Sequence, residues 1–241
     1  TLAQARDAAE KIHVDYEVLK PVVALDQATR SGQPVIHDVA PNNQVYDWHL
    51  GDKTAADAAF TKAHHVTKID LVNNRLIPNA MEPRAAIGDY DAGQDAFTLY
   101  TTSQNPHVAR LVLSAFIGIA PEHKLRVIAP DVGGGFGSKI FIYAEETVCV
   151  WAAKKVGRPV KWIEDRRENL MACNHSREQI HRVRVAIDAG GRVLGFDDEF
   201  FHDQGAYVRT HGARVADGTA STLLGPYLVQ AFRAIGHYRL T

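Results

Sequence analysis

The nonapeptide Asp131-Val132-Gly133-Gly134-Gly135-Phe136-Gly137-Ser138-Lys139 constrains this chain more than any other stretch. Four glycines within five positions strip side chains from the backbone, so a bound group can approach bare amides. A strand-like run, Leu125-Arg126-Val127-Ile128-Ala129, leads in, and a helix-like run from Ser138 leads out. This pattern predicts a glycine-rich turn against a helix N-terminus, where unpaired N–H groups and the helix dipole favour anions. A tight structural turn without a ligand is the plainer alternative, but it needs fewer glycines.

Two common nucleotide loops do not fit the spacing. A P-loop requires Gly-x-x-x-x-Gly-Lys-Ser/Thr. Here Lys139 follows Ser138 and precedes Ile140, so no hydroxyl is placed for magnesium. The dinucleotide pattern G-x-G-x-x-G/A is nearly met by Gly133, Gly135 and Ser138. Its acidic partner should follow by roughly 20 residues, whereas Glu164 and Asp165 come later.

A second junction has the same placement. Thr101-Thr102-Ser103-Gln104-Asn105-Pro106-His107 ends a strand and opens a helix, with Asn105 as N-cap and Pro106 in the first turn. Gln104 carries both donor and acceptor capacity at the helix mouth. Two such junctions can converge on one bound group, although capping alone would account for Ser103 and Asn105.

The surrounding pattern mixes both periods. Helices are expected over residues 2–11, over 55–63 with Thr54 as cap, from Asn105 to Gly118, and from Ser138 to Gly157. Strands are expected over 12–19, 65–72, 84–91, 97–100, 125–129 and 160–163, with a hairpin from Val183 through Ala189-Gly190-Gly191 to Phe201. Residues 26–53, with Gly32, Pro34, Pro41, Asn42, Asn43 and Gly51, read as a linker.

Other chemistry-bearing residues have ordinary readings. Glu82-Pro83-Arg84 could place an ion pair near a site, but a rigid loop with a surface ion pair is the plainer reading. His64 and His65 would face opposite sides of a strand, which argues against a shared metal. Cys173-Asn174-His175 has no second ligand pair nearby, and Cys149 reads as a small buried residue in a helix. Glu145 and Glu146 read as structural, and no Gly-x-Ser-x-Gly elbow is present. With a net charge of −1, no basic surface points to nucleic acid. No apolar stretch approaches the roughly 18–20 residues of a membrane span. Two cysteines suit a reducing, cytoplasmic setting rather than a disulfide framework. Thr1 in place of methionine, and a last strand without a closing cap, read as a fragment of a longer polypeptide.

The paired motifs Thr102-Ser103-Gln104-Asn105-Pro106-His107 and Pro130-Asp131-Val132-Gly133-Gly134-Gly135-Phe136-Gly137-Ser138-Lys139, in this order, resemble the molybdopterin-binding catalytic subunit of the xanthine oxidase family of molybdenum hydroxylases. Asn79-Ala80-Met81-Glu82-Pro83-Arg84-Ala85-Ala86 is similar to that family's carbon monoxide dehydrogenase large-subunit branch. The resemblance implies an α+β fold: the end of an α/β-hammerhead domain over 1–25, a linker over 26–59, and a first molybdenum-cofactor-binding domain over 60–241 with mixed sheets and packed helices.

The resemblance also implies a molybdenum–molybdopterin cofactor in its cytosine dinucleotide form, held by pterin sulfurs rather than by protein side chains. Gln104 would match the glutamine that hydrogen-bonds an oxo ligand of the metal. Gly134, Gly135, Phe136 and Gly137 would match the loop packed against it. The implied reaction is oxidative hydroxylation of a small-molecule substrate, with 2Fe–2S and FAD groups on partner subunits or domains and an oligomeric full-length enzyme. The family's catalytic glutamate and active-site loop are expected beyond Thr241, so no catalytic residue is assigned within this chain. Purine-hydroxylating relatives carry a glutamate directly after the loop lysine. Ile140 stands there instead, which implies a small or apolar substrate. A stand-alone nucleotide-binding α/β module built on the glycine loop is the alternative.

Overall fold

The computed structural model describes residues 1–241, apart from the side chains at positions 213 and 216. Two sheets organise the chain. The first contains β3 (Ala85–Asp91), β4 (Ala96–Thr101), β5 (Leu125–Ile128) and β6 (Val160–Ile163) in the order β5-β4-β3-β6. The second contains β1 (Gln44–Gly51), β2 (His65–Asn73), β7 (Gln179–Ile187), β8 (Val193–Asp203) and β9 (Ala231–Arg239) in the order β1-β9-β8-β7-β2. Both are mixed: β4 and β5 run parallel, as do β8 and β9, and the remaining pairs are antiparallel. The expected α+β class with mixed sheets is what forms.

In the four-stranded sheet, side chains alternate with the pleat. Phe97, Leu99 and Thr101 of β4 point inward. The parallel β4–β5 pair requires a crossover, supplied by α3 (Pro106–Leu111) and the π-helical turn Val112–Phe116 that extends it. Leu113 of that turn joins Ala86, Phe97, Leu99, Leu125, Cys149 and Val150 in one apolar core. Helix α4 (Ala144–Val156) lies directly on β3 because Gly88 has no side chain: a Cβ there would sit 2.3 Å from the Cys149 carbonyl oxygen. Gly157 ends α4 in the left-handed conformation at φ 63°, as its sequence position predicts.

The five-stranded sheet holds the expected hairpin as β7 and β8, in one register from Gln179↔His202 to Ala186↔Gly195, with a shift before Ile187↔Val193. Helix α6 (Gly212–Thr222) contributes Ala220 to a small core with Phe200, Ala234 and Tyr238. Helix α2 (Lys53–Thr61) lies close to β8 and β9, and Ala59 sits where a Cβ on Gly195 would fall, 2.9 Å away. The remaining helices are α1 (Leu2–Ala9) and the short α5 (Arg166–Ala172).

Four sequence expectations need correction. Residues 12–19 do not form a half-buried strand. They pair with no strand among the described residues and are exposed, and Val18 is 92% accessible. Alternation without a ladder partner leaves no strand to stabilise. The unperiodic stretch 26–59 is not linker throughout, because it contains β1, which pairs with β9, and most of α2. Helix α2 is capped by Asp52 rather than Thr54; its carboxylate accepts from the amides of Thr54 and Ala55. The helix after the glycine loop begins at Ala144, not Ser138.

Candidate functional site

Sheet register gathers the site residues at one end of the four-stranded sheet. The carboxyl ends of parallel β4 and β5 open onto residues 102–105 and 129–143. The antiparallel pairs Ala86↔Thr101 and Ala85↔Ile163 bring the segment before β3 and the residue after β6 to the same end. Crevices at the carboxyl ends of parallel strands are the usual ligand positions in such sheets.

The glycine loop and Gln104 meet there. The Gln104 Oε1 accepts from the backbone N–H of Gly137 at 3.1 Å and of Lys139 at 3.3 Å, and the Gln104 N–H donates to the Lys139 carbonyl at 2.9 Å. With its oxygen held by two amides, the Gln104 side chain has one orientation, and its Nε2 donors are turned to the outside. Among the described residues, Nε2 donates to no protein acceptor, and neither do the amides of Gly135 and Phe136. Gly135 is bare because Gln104 lies over it: a Cβ at 135 would stand 2.3 Å from Oε1. Gly134 and Gly137 both have φ near 95°, and Phe136 has φ 51°, a conformation that L side chains rarely adopt. This bend exposes the Phe136 ring, which is 75% accessible.

Four side chains close the loop from behind. Glu82 Oε2 accepts from the Gly133 amide at 2.7 Å and from Lys139 Nζ at 2.8 Å. Lys139 Nζ also donates to the Glu82 carbonyl at 2.8 Å, and its side chain is only 1% accessible. Burial by itself would raise the Glu82 carboxyl, but the hydrogen bonds from Lys139 and Gly133, with the lysine charge, hold it below the usual range. Ser138 Oγ donates back to the Gly135 carbonyl. Burial pushes the Tyr143 phenol up to about 12, so it stays protonated and donates to the Ser138 carbonyl at 2.6 Å.

Glu82 and Arg84 therefore form no surface pair with one another. Arg84 is buried, stands over the Tyr143 ring at 3.5 Å and pairs with Glu164 at 2.5 Å. Burial would raise the Glu164 carboxyl, yet bonds from Arg84 and Asn169 lower it. Glu146 is structural, as its sequence context suggests: it accepts from Thr101 Oγ1 and from the Tyr143 amide inside the fold. Burial raises its carboxyl.

These contacts also revise the anion argument. The first turn of α4 is occupied by its own Glu145 and Glu146, and the glycine loop ends before it. What is exposed at the loop is the Gln104 side chain and Phe136, while Gly135 is buried beneath Gln104. Asn105 makes no side-chain cap to α3; instead Ser103 Oγ accepts from the Asn105 amide. His64 and His65 are both exposed, and no group of three or more His, Cys, Asp or Glu could hold a metal ion among the described residues. Cys149 and Cys173 are buried free thiols, raised by that burial. His175 accepts from Arg75 rather than pairing with Cys173.

Sequence reasoning located Gln104 and the glycines but missed Lys139 and Glu82 as partners. The available signal was an isolated lysine two positions after the last loop glycine, where a solvated charge would be out of place.

Comparisons with known proteins show the family. The family model of the molybdopterin cofactor-binding domain matches residues 36–241. The gamma subunit of the 6-hydroxypseudooxynicotine dehydrogenase complex of Paenarthrobacter nicotinovorans is 35% identical over 97% of this chain and 29% of its own length. The carbon monoxide dehydrogenase large chain of Afipia carboxidovorans is 35% identical over 84% of the chain and 26% of its length. In three dimensions, the crystal structure of Cu,Mo-CO dehydrogenase superimposes with a TM-score of 0.90 at 31% identity, covering 98% of this chain and 31% of that one. The chain thus spans under a third of the length of each of these three proteins. A glycine loop and a glutamine carboxamide meeting at the carboxyl ends of parallel strands, on a fold matched over nearly its whole length, place this chain in the molybdopterin cofactor-binding domain family.

Proposed function

We propose that this chain is the cofactor-contacting part of the catalytic subunit of a molybdenum hydroxylase, with Gln104, Gly134, Gly135, Phe136 and Gly137 as the contact residues. One observation carries the reading: Gln104 Oε1 is held by the Gly137 and Lys139 amides, so two N–H donors face out beside a bare glycine backbone. That donor set suits an oxygen-rich anionic group and supplies no metal ligand of its own, as expected if pterin sulfurs hold the metal. When bound, the molybdenum–pterin group supplies two-electron oxidative hydroxylation of an electron-poor carbon. Gln104 Nε2 and the Gly135 and Phe136 amides would donate to it and orient it, and the exposed Phe136 ring would shield it from water. Glu82, Glu146 and Glu164 do not act as bases in this reading, because each is engaged by protein donors.

The finer assignments rest on the family. The cofactor is the cytosine dinucleotide form, electrons leave through iron–sulfur and flavin partners, and the enzyme works in the cytoplasm. Residues 1–25 close a hammerhead domain. Helix α1 buries none of its residues within this chain, which is compatible with packing elsewhere. Ile140 beside the loop supports a small or apolar substrate rather than a purine.

The test is elemental and pterin analysis of the full-length protein, produced with cofactor-biosynthesis genes. Stoichiometric molybdenum and pterin are expected, with strong depletion in Gln104→Leu. A metal-free but fully active protein would refute the reading.

A further inference from the structure

We propose that Glu82 and Lys139 form a staple across the neck of the glycine loop, and that this staple sets the position of the cofactor-facing amides; the inference rests on the function proposed above. The loop follows the end of β5 at Ile128, and its neck lies between Gly133 and Lys139, ahead of α4. A single carboxylate oxygen, Glu82 Oε2, takes the Gly133 amide at 2.7 Å and Lys139 Nζ at 2.8 Å. Backbone contacts reinforce the closure: the Glu82 amide donates to the Gly133 carbonyl at 3.3 Å, and Lys139 Nζ donates to the Glu82 carbonyl at 2.8 Å. Gly133 must be glycine for this approach, since a Cβ there would lie 2.6 Å from Glu82 Cβ.

The two ends of the loop are thus pinned to one residue of a different segment. Between the pins lie five positions, 134–138, of which Gly134, Phe136 and Gly137 have positive φ. Such a run has many alternative conformations, and only its fixed ends and the Gln104 contact select one. Lys139 is buried, and Glu82 Oε2 is the carboxylate oxygen that faces its ammonium. Removing the carboxylate leaves a buried ammonium short of its counter-charge, and the lysine must then leave its site. Lys139 also supplies the second amide that orients Gln104, so its departure releases the Gln104 carboxamide as well. Glu82 touches no reacting group in this arrangement; it is a positioning residue that acts through Gly133 and Lys139.

The experiment uses the full-length protein as wild type, Glu82→Gln, Lys139→Met, the double variant, and Lys139→Arg as a charge-conserving control. Amide hydrogen exchange is read on the cofactor-free forms, and molybdenum and pterin occupancy on the loaded ones. Exchange across residues 133–139 should rise about tenfold in Glu82→Gln and Lys139→Met, while β4 and α4 stay protected. Occupancy at limiting cofactor should fall by a similar factor. The double variant should match the worse single one, as expected for one shared interaction, and Lys139→Arg should recover part of the occupancy. Unchanged loop exchange, or additive singles, overturns the staple. If β4 and α4 lose protection in Glu82→Gln as much as the loop does, the role is general stability and the inference fails. If the wild type loads cofactor and Glu82→Gln loads it equally well, this inference falls and the proposed function stands. A wild type that loads none overturns both.

Discussion

Beside the four-stranded sheet a group of paired charges gathers at one end, beyond the strands, where Glu82, Lys139, Arg84 and Glu164 brace loops around an apolar body of Leu99, Leu113 and Val150. In the five-stranded sheet they lie in mid-strand. Asp197 of β8 is opposite Arg184 of β7 and Arg233 of β9, and it pairs with both. His181 bonds Asp198 one position further along. The same chemistry serves different ends. Charges at a strand terminus can shape a loop without being part of the sheet, so they position a site. Charges within a ladder are part of its cohesion, so changing them changes the sheet itself.

Substitutions should separate these roles. The largest effect is expected from Asp197→Ala, which leaves two guanidinium groups without their carboxylate and should cost about 3–5 kcal/mol in denaturant unfolding. The cofactor-facing loop should keep its hydrogen-exchange pattern until global unfolding. Leu99→Ala opens a cavity in the apolar body of the other sheet and should cost about 3 kcal/mol. If this substitution left stability unchanged, the four-stranded sheet would not be held by its apolar core.

A pH titration sharpens the comparison. Burial depresses the His202 imidazole from 6.5 to about 4, and Gln179 Nε2 donates to its Nδ1, which requires the neutral ring. The unfolded chain takes up a proton as pH falls through about 6.5, while the folded chain resists until about 4. Stability should therefore fall by about 3 kcal/mol across that window as pH drops, and level off below it. His202→Gln should flatten the slope. Asp197 adds an acid limb further down: burial would raise its carboxyl, but Arg233 and Arg184 depress it. Its contribution is complete above the unfolded value near 3.9 and is lost as pH falls through the folded one.

The smallest stability effect and the most specific functional one come from Gly135→Ala. Gly135 has no positive φ, and the added Cβ meets only the Gln104 side chain, which can swing away. Unfolding free energy should change by less than about 1 kcal/mol, whereas cofactor occupancy should fall by about tenfold or more. A large stability loss with intact occupancy would reverse the assigned roles of loop and sheet.

The sequence made the site partly legible. Glycines at 133–135 and 137 and the glutamine before Asn105-Pro106 are local signals: they report which backbone positions lack a Cβ and where a helix starts. The hairpin of β7 and β8 was legible from alternation and Gly190-Gly191. Two local readings failed for the same reason. Residues 12–19 alternate correctly but have no ladder partner, and residues 44–51 lack clear alternation but pair with β9 almost two hundred positions away. Strand formation depends on a partner that periodicity does not name. The helix expected from Ser138 failed because Ser138, Lys139 and Tyr143 each spend their polar groups on the loop, which delays α4 to Ala144.

What the sequence by itself determined is a pair of strand-to-helix junctions, one bare of side chains and one carrying a glutamine, in a mixed α+β chain. These follow from φ preferences and periodicity, which act over a few residues. Only the tertiary structure decided that the junctions touch, that Gln104 turns its donors outward, and that Glu82 and Lys139 close the loop. Those facts depend on which strands become neighbours and in what register, a choice made by burial across the whole sheet and not by any one segment.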